Sequence, residues 1–235
     1  MWLTKTNIAV ISIPTLCTFI GFLFGLKYEI NERTNTAIQY LVAGVIFSAL
    51  STEIVPIITE SDVLKHRLST IMGLILGASL MISSRAVVLH KQLGESEELF
   101  ITGTVDVTIG GLLIGASTSI VEGFKKFILS GALSVDNFFL GMIMARKMKQ
   151  NGKEYGYILS TAAILSVCIF ISGLVGLYIS GKSRGNVFYF TLSFGVSALL
   201  WLVGAELLTK NNTSLLYPSM LYGGFIFILI LSWIK

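Results

Sequence analysis

Residues 105–117 read VDVTIGGLLIGAS, an apolar, glycine-rich stretch that contains a single carboxylate, Asp106. Together with its flanks, the stretch is long enough to cross a membrane, which takes about 20 apolar residues. Gly111 and Gly115 have the small-xxx-small spacing that lets two helix backbones approach closely. We therefore predict a tightly packed transmembrane helix with an acid inside it, and that acid requires a functional explanation.

The composition of the whole chain is that of an integral membrane protein. Of its 235 residues, 54% are hydrophobic and only 13% are charged, and the mean hydropathy is +0.80. An average soluble domain is about 25% charged. The net charge is +4, but the lysines and arginines lie in short turns between apolar runs, which is typical of membrane flanks. We expect the lipid bilayer as a partner, and no nucleic acid.

Apolar runs of membrane-spanning length predict an all-α, polytopic membrane protein in which residues 1–235 form one membrane domain. The first run is interpreted as a retained helix, because it is longer than the apolar core of a cleaved signal peptide. Eight transmembrane helices are predicted, at about 7–28, 36–59, 68–90, 99–121, 126–146, 156–180, 187–209 and 214–234.

The orientation does not follow from charge, because the 17 Lys and Arg residues divide almost evenly between the two sides of the predicted bundle. The cluster of Arg146, Lys147, Lys149 and Lys153 favours a cytoplasmic position for the loop after the fifth span. We expect a multi-pass protein of the cell (inner) membrane.

Two pairs of spans share sequence features. The second span, AGVIFSALSTEIVPIITE, and the seventh, FGVSALLWLVGAELLTK, each have a Gly-Val near the start and a glutamate near the end. The first and sixth spans each carry a cysteine, Cys17 and Cys168, which we expect to be free. Because the paired spans run in opposite directions, these features predict an inverted 3+2+3 repeat, an arrangement that is common in transporters.

Small residues and a proline modify the predicted helices. The small-xxx-small spacing recurs at Gly21 and Gly25 and at Gly73 and Gly77, which favours a bundle of closely packed helices. Pro56 lies inside the second span and is expected to bend or interrupt it.

Four carboxylates lie within the predicted spans: Glu53, Asp106, Asp136 and Glu206. A charged group inside a span costs about 2.5–3.5 kcal/mol on insertion scales. Glu53 and Glu206 lie toward opposite mouths and the two aspartates lie deeper, so the acids form a ladder that predicts a path for cations or protons. The alternative is that each acid pairs with a polar neighbour for packing alone. Carboxylate and hydroxyl oxygens suit Mn²⁺, Mg²⁺ or Fe²⁺, whereas Zn²⁺ more often takes nitrogen or sulfur as well.

Four motifs resemble the ZIP family of divalent metal transporters, and together they cover most of the chain. AGVIFSALSTEIVP (43–56) is similar to the family's second-helix pattern, and VDVTIGGLLIGAS is similar to the fourth-helix pattern V-D-x-x-x-D-G-x-x-I-G of a bacterial branch. ALSVDNFFLGM (132–142) resembles that branch's fifth helix, with Asp136 in place of the usual Glu. WLVGAELLTK resembles the seventh helix and matches Glu206 to its acid.

The resemblance implies eight spans in a 3+2+3 arrangement, with a metal site between the fourth and fifth helices. It implies transport of a divalent metal cation (zinc, iron or manganese) toward the cytoplasm by alternating access. The metal is the substrate, and no cofactor and no enzymatic activity are expected. Asp106 and Asp136 would be the core metal ligands, and Glu53 and Glu206 would serve the two mouths. A homodimer is the oligomer considered, although the sequence does not give the oligomeric state.

Two other functions stay open. The second acid of the fourth-helix pattern is Gly110 here, which motivates a non-transporting or regulatory ZIP-like protein with a degenerate metal site. Two membrane-embedded aspartates could also form the catalytic pair of an intramembrane aspartyl protease. Their contexts, Val-Asp-Val and Val-Asp-Asn, lack the Tyr-Asp and Gly-x-Gly-Asp motifs of such proteases, so this alternative is the weakest.

Overall fold

A computed structural model describes residues 4–28, 31–59, 66–91, 94–118, 125–182, 185–209 and 216–232, and these residues are almost entirely helical, with no strand among them. The helices are α1 (Lys5–Lys27), α2 (Glu32–Ala49), a π-helical segment (Leu50–Ile54), α3 (Val55–Thr59), α4 (Arg67–Lys91), α5 (Glu95–Thr118), α6 (Lys125–Gln150), α7 (Tyr155–Lys182), α8 (Asn186–Thr209) and α9 (Leu216–Ser232).

The predicted all-α class is confirmed. Within the described residues, seven helices are long and apolar enough to cross a membrane, and α2, the π-helical segment and α3 count together as one of them. The predicted eighth span falls on α9, whose apolar part is shorter, at Ser219–Ile228. Large apolar side chains such as Leu68, Ile75 and Phe227 are exposed on the outside of the bundle, where a lipid environment would cover them.

The second span changes its helical geometry just before Pro56, as the sequence predicted. The N–H group of Val55 donates to the carbonyl oxygen of Leu50, five residues back, which defines a π-helical turn. Pro56 has no N–H group for the preceding turn. The Oγ1 atom of Thr52 donates to the carbonyl oxygen of Ser48 over 2.9 Å and helps to satisfy this turn. Helical π-turns occur frequently at functional sites, and this one contains Glu53.

Four helix pairs carry most of the packing: α1 with α6, α5 with α7, α4 with α8, and α2 with α9. Glycines allow the close approach in each pair. A Cβ atom on Gly25 of α1 would clash with the Met142 carbonyl oxygen of α6, and one on Gly111 of α5 would lie 2.6 Å from the Ile169 carbonyl oxygen of α7. A Cβ atom on Gly73 of α4 would lie 2.5 Å from a carbonyl oxygen of α8. The predicted close packing at small-xxx-small positions is confirmed.

Serine hydroxyls reinforce the same helix pairs. Ser130 of α6 donates to the Val10 carbonyl oxygen of α1 over 2.7 Å, and Ser197 of α8 donates to the Leu74 carbonyl oxygen of α4 over 2.7 Å. Such bonds between helices are favoured in a membrane, where water offers no competing partner. In these pairs, close backbone contact sets the distance between the helices, and the hydrogen bonds fix how the helices face each other.

We predict that two glycines of α5, Gly110 and Gly115, differ sharply in how well they tolerate substitution by alanine. Gly115→Ala places a methyl group against the Gly173 carbonyl oxygen and 2.7 Å from the Leu177 nitrogen, both backbone atoms. The substitution should destabilise the protein by about 1–3 kcal/mol through overpacking. The control is Gly110→Ala, whose Cβ atom would meet only the Leu133 Cδ2 atom, at 3.9 Å. Thermal unfolding in detergent measures the effect, and equal melting temperatures for both variants would contradict this packing.

Candidate functional site

A cavity of about 210 Å³ lies between α2, α5, α6 and α8. Its polar lining residues are Gln39, Glu98, Thr102, Asp106, Asp136 and Lys147. The rest of its lining is apolar: Val42, Leu99, Gly103, Phe139, Leu140, Ile143, Met144 and Leu202. The structure therefore brings Asp106 and Asp136, which the sequence predicts as a pair, to one cavity.

One stripe of α5 supplies the first polar wall. Glu98, Thr102 and Asp106 follow one another at helical spacing, so their side chains share a face of the helix. Glu98 is exposed near the start of the helix, and Asp106 is buried, with 6% of its surface accessible. The distance along the helix axis from Glu98 to Asp106 is about 12 Å at the usual rise per residue. The cavity thus runs from an exposed mouth to a buried acid.

A stripe of α6 forms the facing wall and runs in the opposite direction. Asp136, Leu140, Ile143 and Lys147 line the cavity at the spacing of one helix face. About 16 Å of helix axis separates Asp136 from Lys147, so Lys147 lies at the level of the mouth. Asp136 is only partly buried. The two aspartates are therefore the deep end of the cavity, and Glu98 and Lys147 mark its entrance.

The turn after α6 anchors the mouth. Gly152 has a φ of 71°, and the N–H group of Lys153 donates to the Met148 carbonyl oxygen over 3.0 Å. This is the glycine-ended helix terminus known as a Schellman motif. Asn151 then donates to the Ser96 hydroxyl over 3.1 Å. These bonds tie the end of α6 to the start of α5, the two elements that carry the entrance residues.

An ion pair on the outer side of the mouth adds a second tie. The Lys153 Nζ atom lies 3.1 Å from the Glu97 Oε1 atom. Both side chains are substantially exposed, so the pair contributes little to stability by itself. The pair holds the Glu97 side chain toward Lys153, whereas the side chain of the next residue, Glu98, lines the cavity.

The deep acids lie where a charge is expensive, between apolar side chains of a bundle built to cross a membrane. Asp106, Asp136, Gln39 and Lys147 each take part in at least one noncovalent interaction. Within the described part of the chain, no three His, Cys, Asp or Glu side chains come together as a ready-made metal cluster. The arrangement suits a cation that keeps part of its water shell, as Mg²⁺-like ions do when one or two carboxylates bind them.

Glu53 and Glu206 occupy other positions. Glu53 is buried in the π-helical segment, with 5% of its surface accessible, and does not line the cavity. The backbone of Glu206 belongs to α8, one turn beyond the lining residue Leu202 and toward the mouth, but its side chain lies outside the described residues. The four acids therefore do not form one cluster in the part of the chain that the structure describes.

Two hydroxyl groups that lie close to the aspartates along the sequence bond to their own helices. Thr108 donates to the Thr104 carbonyl oxygen over 2.6 Å, and Ser134 donates to the Ser130 carbonyl oxygen over 2.6 Å. Neither side chain lines the cavity. Hydroxyls in apolar helices commonly bond in this way because no water reaches them. The polar lining of the cavity therefore consists of Glu98, the two aspartates, Lys147, Gln39 and Thr102, and it does not include Thr108 or Ser134.

Four polar cavity residues are absent from the set that the sequence predicted: Gln39, Glu98, Thr102 and Lys147. The fourth span was expected to begin at residue 99, whereas α5 begins at Glu95 and includes Glu98. The fifth span was expected to end at 146, whereas α6 continues to Gln150 and includes Lys147. The sequence signal that could have identified Glu98 is its spacing from Asp106, which places the two residues on one face of a helix although Glu98 lies outside the apolar run.

The sequence matches no protein-family model, and a comparison with curated proteins finds no match.

We predict that the cavity is open to water from the face that carries Glu98. In a chain with Cys17→Ala and Cys168→Ala, the variant Thr102→Cys should react with a membrane-impermeant, charged methanethiosulfonate reagent, because Thr102 lines the cavity. The control is Ile164→Cys on α7, whose side chain is exposed on the outside of the bundle and should face lipid, where the reactive thiolate does not form. Equal labelling of both cysteines in vesicles would contradict a hydrated cavity.

Proposed function

We propose that this protein transports a divalent metal cation (zinc, iron or manganese) across a membrane, toward the cytoplasm, by alternating access. The observation that carries the proposal is the presence of Asp106 and Asp136 at the deep end of one cavity within a bundle of apolar helices. Acids in such a position are typical of ion pathways. The resemblance of four motifs to the ZIP family supports the choice of a metal as the ion.

The packing of the helices supports the inverted repeat that alternating access uses. The proposed repeat relates α1 to α7, α2 to α8, α4 to α9, and α5 to α6. When the members of each set are exchanged, the contact α1–α6 becomes α7–α5, and the contact α4–α8 becomes α9–α2. These are the four main pairs of the bundle. The set of contacts therefore maps onto itself, as an internal two-fold relation requires.

Individual contacts follow the same exchange in the first two pairs. A Cβ atom on Gly141 of α6 would lie 2.7 Å from the Thr18 carbonyl oxygen, and one on Gly111 of α5 would lie 2.6 Å from the Ile169 carbonyl oxygen. The interval from Gly111 to Gly141 is also the interval from Asp106 to Asp136. The interval from Thr18 to Ile169 is that from Cys17 to Cys168. The two aspartates thus occupy equivalent positions in the proposed repeats.

The other two pairs show the same correspondence. A Cβ atom on Gly73 of α4 would approach the Phe190 carbonyl oxygen and the Phe194 nitrogen of α8. One on Gly224 of α9 would approach the Leu41 carbonyl oxygen and the Val45 nitrogen of α2. Gly73 and Gly224 are separated by the same interval as Cys17 and Cys168. One interval therefore relates α1 to α7 and α4 to α9, and a second interval relates both Leu41 to Phe190 and Val45 to Phe194.

In the proposed repeat, the positions equivalent to several cavity residues lie on the other side of the aspartates, where the side chains are closely packed. The exchange of α5 and α6 relates the cavity residues Leu99, Gly103, Ile143 and Met144 to four other positions. Those positions are Leu129, Leu133, Leu113 and Ile114, which are almost fully buried against one another in the core. One route to the acids is open and the equivalent route is closed, which is the asymmetry that alternating access requires.

Glu53 belongs to the closed route. The interval that relates Leu41 to Phe190 also relates Glu53 to the cavity residue Leu202. Glu206 lies one turn further along, so the two glutamates that sequence comparison paired are out of register by about one turn. We assign Glu53 to the mouth that is closed here and Glu206 to the open mouth. With the Arg146 loop in the cytoplasm, the open cavity faces inward.

Gly110 favours a second candidate, a ZIP-like protein whose metal site is degenerate and which regulates rather than transports. Gly110 is buried one turn beyond Asp106, on the same face of α5. A Cβ atom there would find only the Leu133 Cδ2 atom, at 3.9 Å. The fold thus leaves room where the resembling family pattern has a second acid, and close packing does not account for the glycine.

We predict that Asp106→Asn and Asp136→Asn each reduce metal uptake at least tenfold in reconstituted vesicles, because each removes one anionic ligand from the deep end of the cavity. The matched control is Glu97→Gln, which removes an acid from the first turn of α5, outside the cavity. It should keep uptake within about twofold of wild type. Wild-type uptake of Mn²⁺, Fe²⁺ and Zn²⁺ by both aspartate variants would rule out the proposal.

We predict that Gly110→Asp discriminates the transporter from the degenerate candidate. The variant should fold, because its Cβ atom meets no backbone. If the wild type transports, the added acid should tighten Mn²⁺ binding, because a further charged oxygen ligand joins the site. A wild type that neither binds nor transports, together with a variant that gains Mn²⁺ affinity, would instead establish the degenerate reading. Titration of both proteins in nanodiscs gives the answer.

A further inference from the structure

Lys147 is the one basic residue that lines the cavity among the described residues. It faces Glu98 across the entrance and lies on the same helical stripe as Asp136. It also lines a second, smaller pocket of about 80 Å³, whose other polar lining residues are Tyr28, Asn35, Arg146 and Gln150. A lysine has a flexible four-carbon stem and a compact charge. Because Arg146 adds a like charge to the second pocket, the Lys147 ammonium group is favoured on the side of the acids.

The charges at the entrance are not a requirement of helix packing. The interval that relates Asp136 to Asp106 relates Lys147 to Ser117, and it relates Glu98 to Ile128. Ser117 and Ile128 are buried and uncharged. The same helix positions are thus filled without charge on the packed side of the bundle. The charged residues Glu98 and Lys147 belong to the open route alone.

In an ion-free cavity with several carboxylates, a nearby positive charge stabilises the ionised acids, since uncompensated acids in an apolar bundle are unfavourable. The ionisable groups that line the cavity in the described part of the chain are Glu98, Asp106, Asp136 and Lys147. Lys147 is the group in this set that can supply the positive charge, and it already makes at least one noncovalent interaction.

We propose that Lys147 is a tethered cation, which neutralises the cavity acids in the ion-free state and competes with the transported metal for them. A divalent cation that reaches Asp106 and Asp136 repels the ammonium group and displaces it from the acids. Lys147 thereby sets the affinity of the site and favours divalent over monovalent ions, because only the higher charge displaces it effectively. This inference rests on the proposed function for the competition, but the neutralisation stands without it.

The first test is a double-mutant cycle on thermal stability with purified full-length protein. Lys147→Gln should lower the melting temperature by about 3 °C, a shift of the size expected for a single lost interaction in a chain of this length. In an Asp106→Asn/Asp136→Asn background the same change should have an effect of less than about 1 °C, because the acids no longer need the charge. Lys147→Arg keeps the charge and should resemble wild type, which controls for misfolding.

The second test is Mn²⁺ binding in nanodiscs of uncharged lipid. Lys147→Gln should tighten the Mn²⁺ dissociation constant about tenfold, which corresponds to about 1.4 kcal/mol. The matched control is Lys149→Gln on the same helix, whose Nζ atom donates to the Leu26 carbonyl oxygen over 3.1 Å and which does not line the cavity. It should stay within about twofold of wild type.

The outcomes separate the two proposals. Equal effects of Lys147→Gln in both backgrounds overturn the tethered cation, whatever the protein binds. Unchanged or weaker Mn²⁺ binding by Lys147→Gln, with binding by wild type intact, overturns the competition and leaves the transport proposal standing. The double-mutant cycle could show coupling between Lys147 and the aspartates while no variant binds Mn²⁺, Fe²⁺ or Zn²⁺. That result overturns the transport proposal and the competition, and it retains Lys147 as the counter-ion of the cavity.

Discussion

The close approach of helix backbones at glycine is the constraint on which the rest of this structure depends. In the pairs α1–α6, α5–α7, α4–α8 and α2–α9, a methyl group on the contacting glycine would run into a carbonyl oxygen of the facing helix. Since lipid offers no hydrophobic drive for helices to associate, such contacts and hydrogen bonds between helices have to supply it. The positions of these glycines therefore fix how far apart the helices lie and in which register they meet.

That register determines the environment of the acids. Gly111 and Gly115 hold one face of α5 against α7, which leaves the stripe with Glu98 and Asp106 facing α6 and the cavity. The contact of Gly141 with α1 leaves Asp136 on the cavity side of α6. At Gly103 and Gly110 only side-chain atoms lie near the Cβ position, and at Gly110 the nearest is the Leu133 Cδ2 atom, at 3.9 Å. The same helix thus contains glycines that packing requires and one that it does not.

The sequence predicted much of this arrangement. Apolar runs gave the class of the fold and, to within a few residues, most of the helices. Pro56 located the irregular turn, and Asp106 and Asp136 were paired before the structure placed them in one cavity. Glu98 and Lys147 were missed because a hydropathy argument ends a span at its first charged residues. A charge at a helix end can face either solvent or a cavity, and that choice depends on neighbouring helices rather than on the local sequence.

By itself, the sequence determined that this chain is helical and apolar enough for a membrane, and which carboxylates lie within its apolar runs. Those properties depend on local composition, because the cost of an unpaired backbone group or a charge in lipid applies to each segment separately. The tertiary structure alone decided which acids share a cavity, that hydroxyl groups near them bond to their own helices, and that Glu98 and Lys147 line the same cavity as the aspartates. These features depend on the distances between helices, which the glycine contacts set and which no single segment contains.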